Sequence, residues 1–186
     1  MSRQGIVTLP PSRLDVAISK RCVRAATPAR ERSLQIMTWL ADEKILLGGV
    51  ALFWLNARLR PHHEEFRREA DRMLLGIVLA GAVPHVFKHL VDRKRPDRTL
   101  VHGPRHGIPR SGEAWNSFPS GHAVHLGAVA GPLARLAPGS AKPLIWISLL
   151  GLASTRILLL AHYASDVAAG LIIGAGLGKA VRKLTT

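Results

Sequence analysis

One cysteine (Cys22) and one tyrosine occur in 186 residues, aromatic residues make up 5%, and Asp and Glu together number only 12. A lone cysteine excludes an intramolecular disulfide framework and a multi-cysteine zinc site. Against the 12 acidic residues stand 26 Lys and Arg, a formal charge of +14 with histidine neutral. A surplus of that size calls for anionic partners: nucleic acid, phosphorylated small molecules or lipid headgroups. Scarce aromatics, and cations divided among segment ends rather than drawn along one helical face, argue against nucleic acid. Met1 to Arg32 also lacks the apolar stretch of about 7 to 15 residues that marks a secretory signal, so a secreted chain is not expected. Arg3, Arg13, Lys20, Arg21, Arg24, Arg30 and Arg32 make residues 1–33 a basic tail, solvated or adsorbed to headgroups, with a short amphipathic piece around Leu14 to Val23.

Uninterrupted apolar runs of about 18 residues are missing too, so the strict test for a membrane span fails. Charge-free stretches nevertheless recur: Ile45–Ala57, Met73–Phe87, Gly121–Ala134, Pro143–Thr155, Ile157–Ser165 and Val167–Gly178. Only Arg156 interrupts Pro143 to Ser165, and passing Lys88 extends the second stretch to Val91. Charges inside apolar helices are costly in lipid and tend to mark functional sites, which accounts for Lys88 and Arg156 within a membrane protein. The pattern predicts helices near 40–58, 70–91, 121–137, 143–162 and 166–183, with no strand alternation and no internal repeat. An all-α integral membrane bundle of about five spans over residues 34–186 is the expected class. Basic residues are balanced between the two sets of helix ends, so the positive-inside rule sets no orientation.

Alternation of helices and connectors brings one set of ends together. The second helix runs toward Lys88 and Arg95, the third starts at Ser120 and His122, the fourth ends at Arg156 and His162, and the fifth begins by Asp166. Lys88, Arg95 and Arg156 suit the oxygens of a phosphate, arginine through its fork of donors and lysine as a point charge. Ser120 is placed to cap the third helix, whose first amides can face an anion. Asp166, four residues after His162, is within reach to orient that imidazole, and a neutral histidine is a nucleophile for phosphorus. His122 can protonate a departing oxygen. Taken singly, each group has a plainer reading: interfacial charges, a helix start, a structural hydrogen bond. His85 with His89, and His122 with His125, have spacings a metal could use, but packing between helices is the simpler role.

Lys88-x6-Arg95-Pro96, Pro119-Ser120-Gly121-His122 and Thr155-Arg156-x5-His162-x3-Asp166 together resemble the type 2 phosphatidic acid phosphatase superfamily, whose pattern reads K-x6-R-P, P-S-G-H and S-R-x5-H-x3-D. The resemblance spans Lys88 to Gly170 and departs from the pattern at Thr155, in place of Ser, and at Ala164, where many members carry Pro. It implies that His162 forms a phosphohistidine, that Asp166 orients it, and that His122 acts as acid. Lys88, Arg95, Ser120, Gly121 and Arg156 would bind phosphate, with no metal and no cofactor, since cations and helix-start amides can hold the charge. It further implies a lipid phosphate substrate and a place in a bilayer, most simply a bacterial inner membrane. Arg98, Arg105 and Arg110, with His102 and His106, exceed what one phosphomonoester needs and favour a polyprenyl diphosphate, such as the undecaprenyl carrier, over phosphatidic acid or phosphatidylglycerol phosphate. A haloperoxidase, a basic nucleic-acid binder and a membrane protein without catalysis are the alternatives.

Overall fold

The computed structural model describes residues 5–60, 63–101 and 112–185, so that Arg3, His102, Arg105, His106 and Arg110 lie outside the described residues. Two short helices come first, α1 (Arg13–Ala25) and α2 (Pro28–Trp39), followed by α3 (Glu43–Leu59) and the long α4 (Glu64–Leu90). A one-turn helix α5 (Pro96–Thr99) precedes α6 (Gly121–Leu136), α7 (Lys142–Leu158) and α8 (Ala164–Leu184). Two-residue strands β1 (Val7–Thr8) and β2 (Val91–Asp92) pair in parallel, Val7 opposite Val91 and Thr8 opposite Asp92.

The helices start and stop where local chemistry dictates. Ser12 and Asp15 form a reciprocal capping box on α1, Thr27 caps α2 ahead of Pro28, and Asp42 caps α3. Glu64 and Glu65 open α4 while Lys88 and His89 close it, each sign matching the helix dipole. At 27 residues, α4 is about 40 Å long at 1.5 Å per residue. Among the described residues it is one of three stretches long and apolar enough to cross a membrane, with Gly139–Leu158 and Ala164–Leu184; α3 and α6 are shorter, at 17 and 16 residues. Leu52, Val78, Ile147 and Ile172 stand exposed on α3, α4, α7 and α8, the apolar outward surface expected of helices bathed in lipid.

At the centre runs α6, buried from Ala123 to Ala130 and surrounded by α3, α4, α7 and α8. Its closest partner is α8. A Cβ on Gly174 would lie 2.0 Å from the Val124 carbonyl oxygen, and one on Gly127 would lie 2.5 Å from that of Leu171, so the two backbones touch where side chains are absent. The four-residue spacing Gly170, Gly174, Gly178 is the small-residue stripe by which helices pack in lipid, where apolar burial gives little drive. At the far end from the phosphate motifs, Glu69 of α4 binds Arg72 and also Arg135 of α6, and Arg72 holds the Thr185 carbonyl past α8.

Two expectations are corrected. The N-terminal segment is not a solvated tail: Asp15 and Ser19 are buried, and Asp15 binds the start of α8 through the Ser165 amide at 3.0 Å. One acidic side chain with three polar partners outweighs the segment's overall basic composition. The fourth helix was expected to run to residue 162 but stops at Leu158. Leu160 there takes φ 55°, a left-handed conformation costing a branched residue about 1–3 kcal/mol, and the turn it makes carries His162 off the helix.

Gly174→Ala forces α6 and α8 apart and should cost about 1–3 kcal/mol. Gly176→Ala faces open space and should be neutral or gain up to about 1 kcal/mol of helix propensity. Thermal unfolding of both variants in detergent tests the contact, and equal melting temperatures would refute it.

Candidate active site

Lys88, Arg95, Gly121, His122, Arg156 and His162, drawn from three separate sequence motifs, line one cavity of about 730 Å³. Gln35, Thr38, Trp39, Asp42 and Glu43 close it from the α2–α3 side. Ser120 and Asp166 lie beneath the lining, both fully buried, with the Ser120 amide donating to the Asp166 carbonyl at 3.1 Å. Ser120 begins α6, but its hydroxyl makes no cap bond and has no partner among the described residues, so the first-turn amides are not covered by it.

His162 is fixed at both ring nitrogens. Nδ1 lies 2.7 Å from the Ser117 carbonyl oxygen, which can only accept, so Nδ1 carries the proton and Nε2 keeps its lone pair. Nε2 accepts from Arg95 Nη1 at 3.1 Å. Burial pushes the imidazole pKa well below its ordinary 6.5, and the positive charges of Arg95 and Arg156 push it further. The ring is therefore neutral at pH 7.

Asp166 does not make the expected bond to this ring; its Oδ2 stands 4.0 Å from Nδ1. The carboxylate is already saturated: Arg93 binds Oδ1, while the Ser117 hydroxyl at 2.6 Å and the Tyr163 amide at 2.8 Å bind Oδ2. Ser117 thus relays the contact, its hydroxyl on Asp166 and its carbonyl on His162.

Arg95 is held with comparable rigidity. It donates to the carbonyls of Glu113 at 2.9 Å, Ala161 at 2.9 Å and Asn116 at 2.8 Å, and to His162, so that among the described residues four of its five N–H groups are taken. Arg156 reaches Thr38 Oγ1 at 3.3 Å, and Lys88 stands half-buried near the end of α4. Among the described residues no three or more His, Cys, Asp or Glu side chains are grouped to hold a metal. His85 and His125 each bond one ring nitrogen to the carbonyl four residues earlier.

Arg93, Asp15 and Ser117 have no counterpart among the expected site residues. Arg93 read as one more loop cation, yet it is buried between Asp15 at 2.8 Å and Asp166, and it lies over the Tyr163 ring. Asp15 did carry a signal: it is the only acidic residue before Glu31 in a strongly basic stretch. Burial alone would raise its pKa, but donors from Ser165 and Ser12 outweigh that and lower it from 3.8 to about 2.

The fold agrees with what known proteins show. A family model described as the PAP2 superfamily matches residues 70–186, and the chain belongs to that superfamily. It is 38% identical over 100 residues to a lipid A 1-phosphatase of Rhizobium johnstonii, covering 53% of this chain and 41% of that protein. The chain thus spans about two fifths of that relative's length. It is 37% identical over 135 residues to a decaprenylphosphoryl-5-phosphoribose phosphatase of Mycobacterium tuberculosis, covering 73% of this chain and 70% of that one. The crystal structure of Aquifex aeolicus LpxE superposes with a TM-score of 0.70 at 18% identity, over 95% of this chain and 99% of that one. The architecture is an all-α integral membrane bundle.

Asp15→Ala strips Arg93 of a buried partner and should cost about 3 kcal/mol, about 6–12 °C in melting temperature. Because the folded pKa of Asp15 is depressed, its contribution is complete above its ordinary 3.8 and fades as the pH falls toward about 2. A thermal melt of the variant matching the parent at pH 7 would show that the pair holds nothing.

Proposed function

We propose that this protein hydrolyses a phosphomonoester or diphosphate of a membrane lipid through a phosphohistidine on His162, without a metal ion. The observation that carries the reading is the unprotonated Nε2 of His162 facing a cavity lined by Lys88, Arg95, Arg156 and His122. The relatives' named activities on lipid-linked phosphates point the same way.

Phosphate oxygens take the free donors of Arg95, Arg156 and Lys88 and the first amides of α6. Binding also draws Arg95 Nη1 from Nε2 to the ligand, which frees the lone pair. Nε2 then attacks phosphorus, the P–O bond to the leaving alcohol breaks, and His122 gives that oxygen a proton. The phosphate dianion favours the protonated form of His122 that this step needs. Water next attacks the phosphohistidine, His122 takes the water's proton, and the P–N bond breaks to release orthophosphate. Asp166 acts as a positioning residue through Ser117.

The finer preference for a polyprenyl diphosphate drew on Arg98, Arg105 and Arg110. Arg98 instead binds the Gly112 carbonyl and stands beside Asp97, off the cavity lining. Arg105 and Arg110 lie outside the described residues, and a polyprenyl carrier is supported by the mycobacterial relative's name. A bacterial inner membrane is the location we assign, in keeping with bacterial relatives.

Purified protein should release phosphate from lipid phosphates in the presence of EDTA; activity lost to the chelator and restored by magnesium would defeat the metal-free reading. His162→Ala should abolish turnover. His122→Ala should lose about 10²–10⁴-fold on an alkyl phosphate but far less on p-nitrophenyl phosphate, whose oxygen leaves without a proton. Equal losses on both substrates would remove His122 from the acid role. The acid limb of kcat/KM should fall below pH 6.5, since activity rises with pH through the lowered pKa of His162.

A further inference from the structure

A second cavity, of about 510 Å³, lies at the elbow between α1 and α2, with Cys22, Ala25, Ala29, Leu34 and Leu158 in its wall. That volume is within the range of about 300–1,000 Å³ usual for ligand sites. Short side chains leave the space: Ala25, Ala26 and Ala29 stand where α1 gives way to α2, and Pro28 fixes the first turn of α2. No lining residue is shared with the cavity that holds His162. The partition between the two is α2 with the end of α7, since Leu34 and Leu158 line one while Gln35 and Leu159 line the other.

The elbow is placed against lipid. Leu158 is the last residue of Gly139–Leu158, one of the stretches able to span a bilayer. Ile36, Met37 and Leu40 of α2 are exposed, and Trp39 with them. An uncovered apolar face carrying a tryptophan is what a helix at the bilayer boundary presents to its surroundings. On the same two helices Lys20, Arg21, Arg24, Arg30 and Arg32 are exposed, and none of them forms an ion pair among the described residues. Arg30 lines the cavity and is held across the elbow by one bond, Nη1 to the Ala25 carbonyl at 3.0 Å.

One polar group in the wall is unsatisfied. Glu31, the only acidic residue between Asp15 and Asp42, lines the cavity at 4% exposure, and its Oε2 has no hydrogen-bond partner among the described residues. A buried carboxyl without partners is costly, and burial pushes its pKa above the ordinary 4.5. Glu31 therefore opposes an incoming anion less than its formal charge implies.

We propose that this cavity is a lipid site in its own right, which takes an acyl chain of an anionic phospholipid of the bilayer and binds that lipid's phosphodiester through Arg30. The chain lies against Ala25, Ala29, Leu34 and Leu158, with the ester region beside the Glu31 carboxyl. Arg30 meets the phosphate through its fork of donors. Cations without acidic partners on the neighbouring turns favour an anionic headgroup over a zwitterionic one, whose ammonium they would repel. The bound lipid abuts the helix whose Thr38 accepts from Arg156 at 3.3 Å in the other cavity. The site is separate from the candidate active site and holds whatever reaction runs there.

Cys22, the only cysteine of the chain, is half-buried in the cavity wall and serves as the reporter. The full chain in a neutral detergent is alkylated with uncharged N-ethylmaleimide, with phosphatidylglycerol or phosphatidylcholine added at equal mole fraction. Phosphatidylglycerol should slow the reaction of Cys22 by about fivefold or more relative to phosphatidylcholine, because a bound chain shields the thiol. Arg30→Gln should bring the two rates together. Ala29→Leu, which fills part of the cavity, should remove the same difference by a separate route, so that a folding defect in one variant does not decide the outcome. Lys142→Gln, at the opposite end of α7, should keep the difference. Equal rates in the two lipids for the parent, a difference that survives either Arg30→Gln or Ala29→Leu, or one lost in Lys142→Gln, overturns the site.

Discussion

A buried guanidinium holds the cavity end of this molecule together. Arg93 follows β2 and meets Asp15 of α1, Ser165 and Asp166 of α8, and the face of Tyr163. Charges so deeply enclosed are tolerated only when every partner is in place, because an unpaired one is costly. The N-terminal helix, the short strand pair and the first turn of α8 must therefore assemble as a unit. Ser117 hangs on the same Asp166 carboxylate and passes that order to the His162 ring through its backbone.

The second constraint is the approach of α6 to α8. Small residues on both helices let the backbones meet near the start of each, where the Ser120 amide binds the Asp166 carbonyl. That contact sets His122 and His162 across one cavity although 39 residues separate them in sequence, 162 less 122 less one. At the opposite end, Glu69, Arg72 and Arg135 tie α4, α6 and the residue after α8, so these helices are pinned near both termini.

Much of this was legible in the sequence, for a physical reason. Lys88, Arg95, Gly121, His122, Arg156 and His162 sit at fixed distances from helix ends, and helix alternation determines which ends meet. Packing of the first 33 residues was not legible, because a single buried Asp15 decides it and the composition around it is that of a solvated segment. Nor could spacing alone reveal that His162 bonds a backbone carbonyl: four residues bring Asp166 near the ring, but its oxygens are taken by Arg93, Ser117 and Tyr163. Backbone groups and partners distant in sequence leave no periodic trace.

The outward apolar faces of α3, α4 and α7 continue toward the helix ends where the cavity opens. On the proposed reading, a lipid phosphate would present its headgroup there while its chain stays among its neighbours in the bilayer, so that diffusion to the site would be confined to two dimensions. For such a protein the quantity that governs encounter is the mole fraction of substrate in the membrane, and diluting that membrane with inert lipid slows it even when the bulk concentration is held constant.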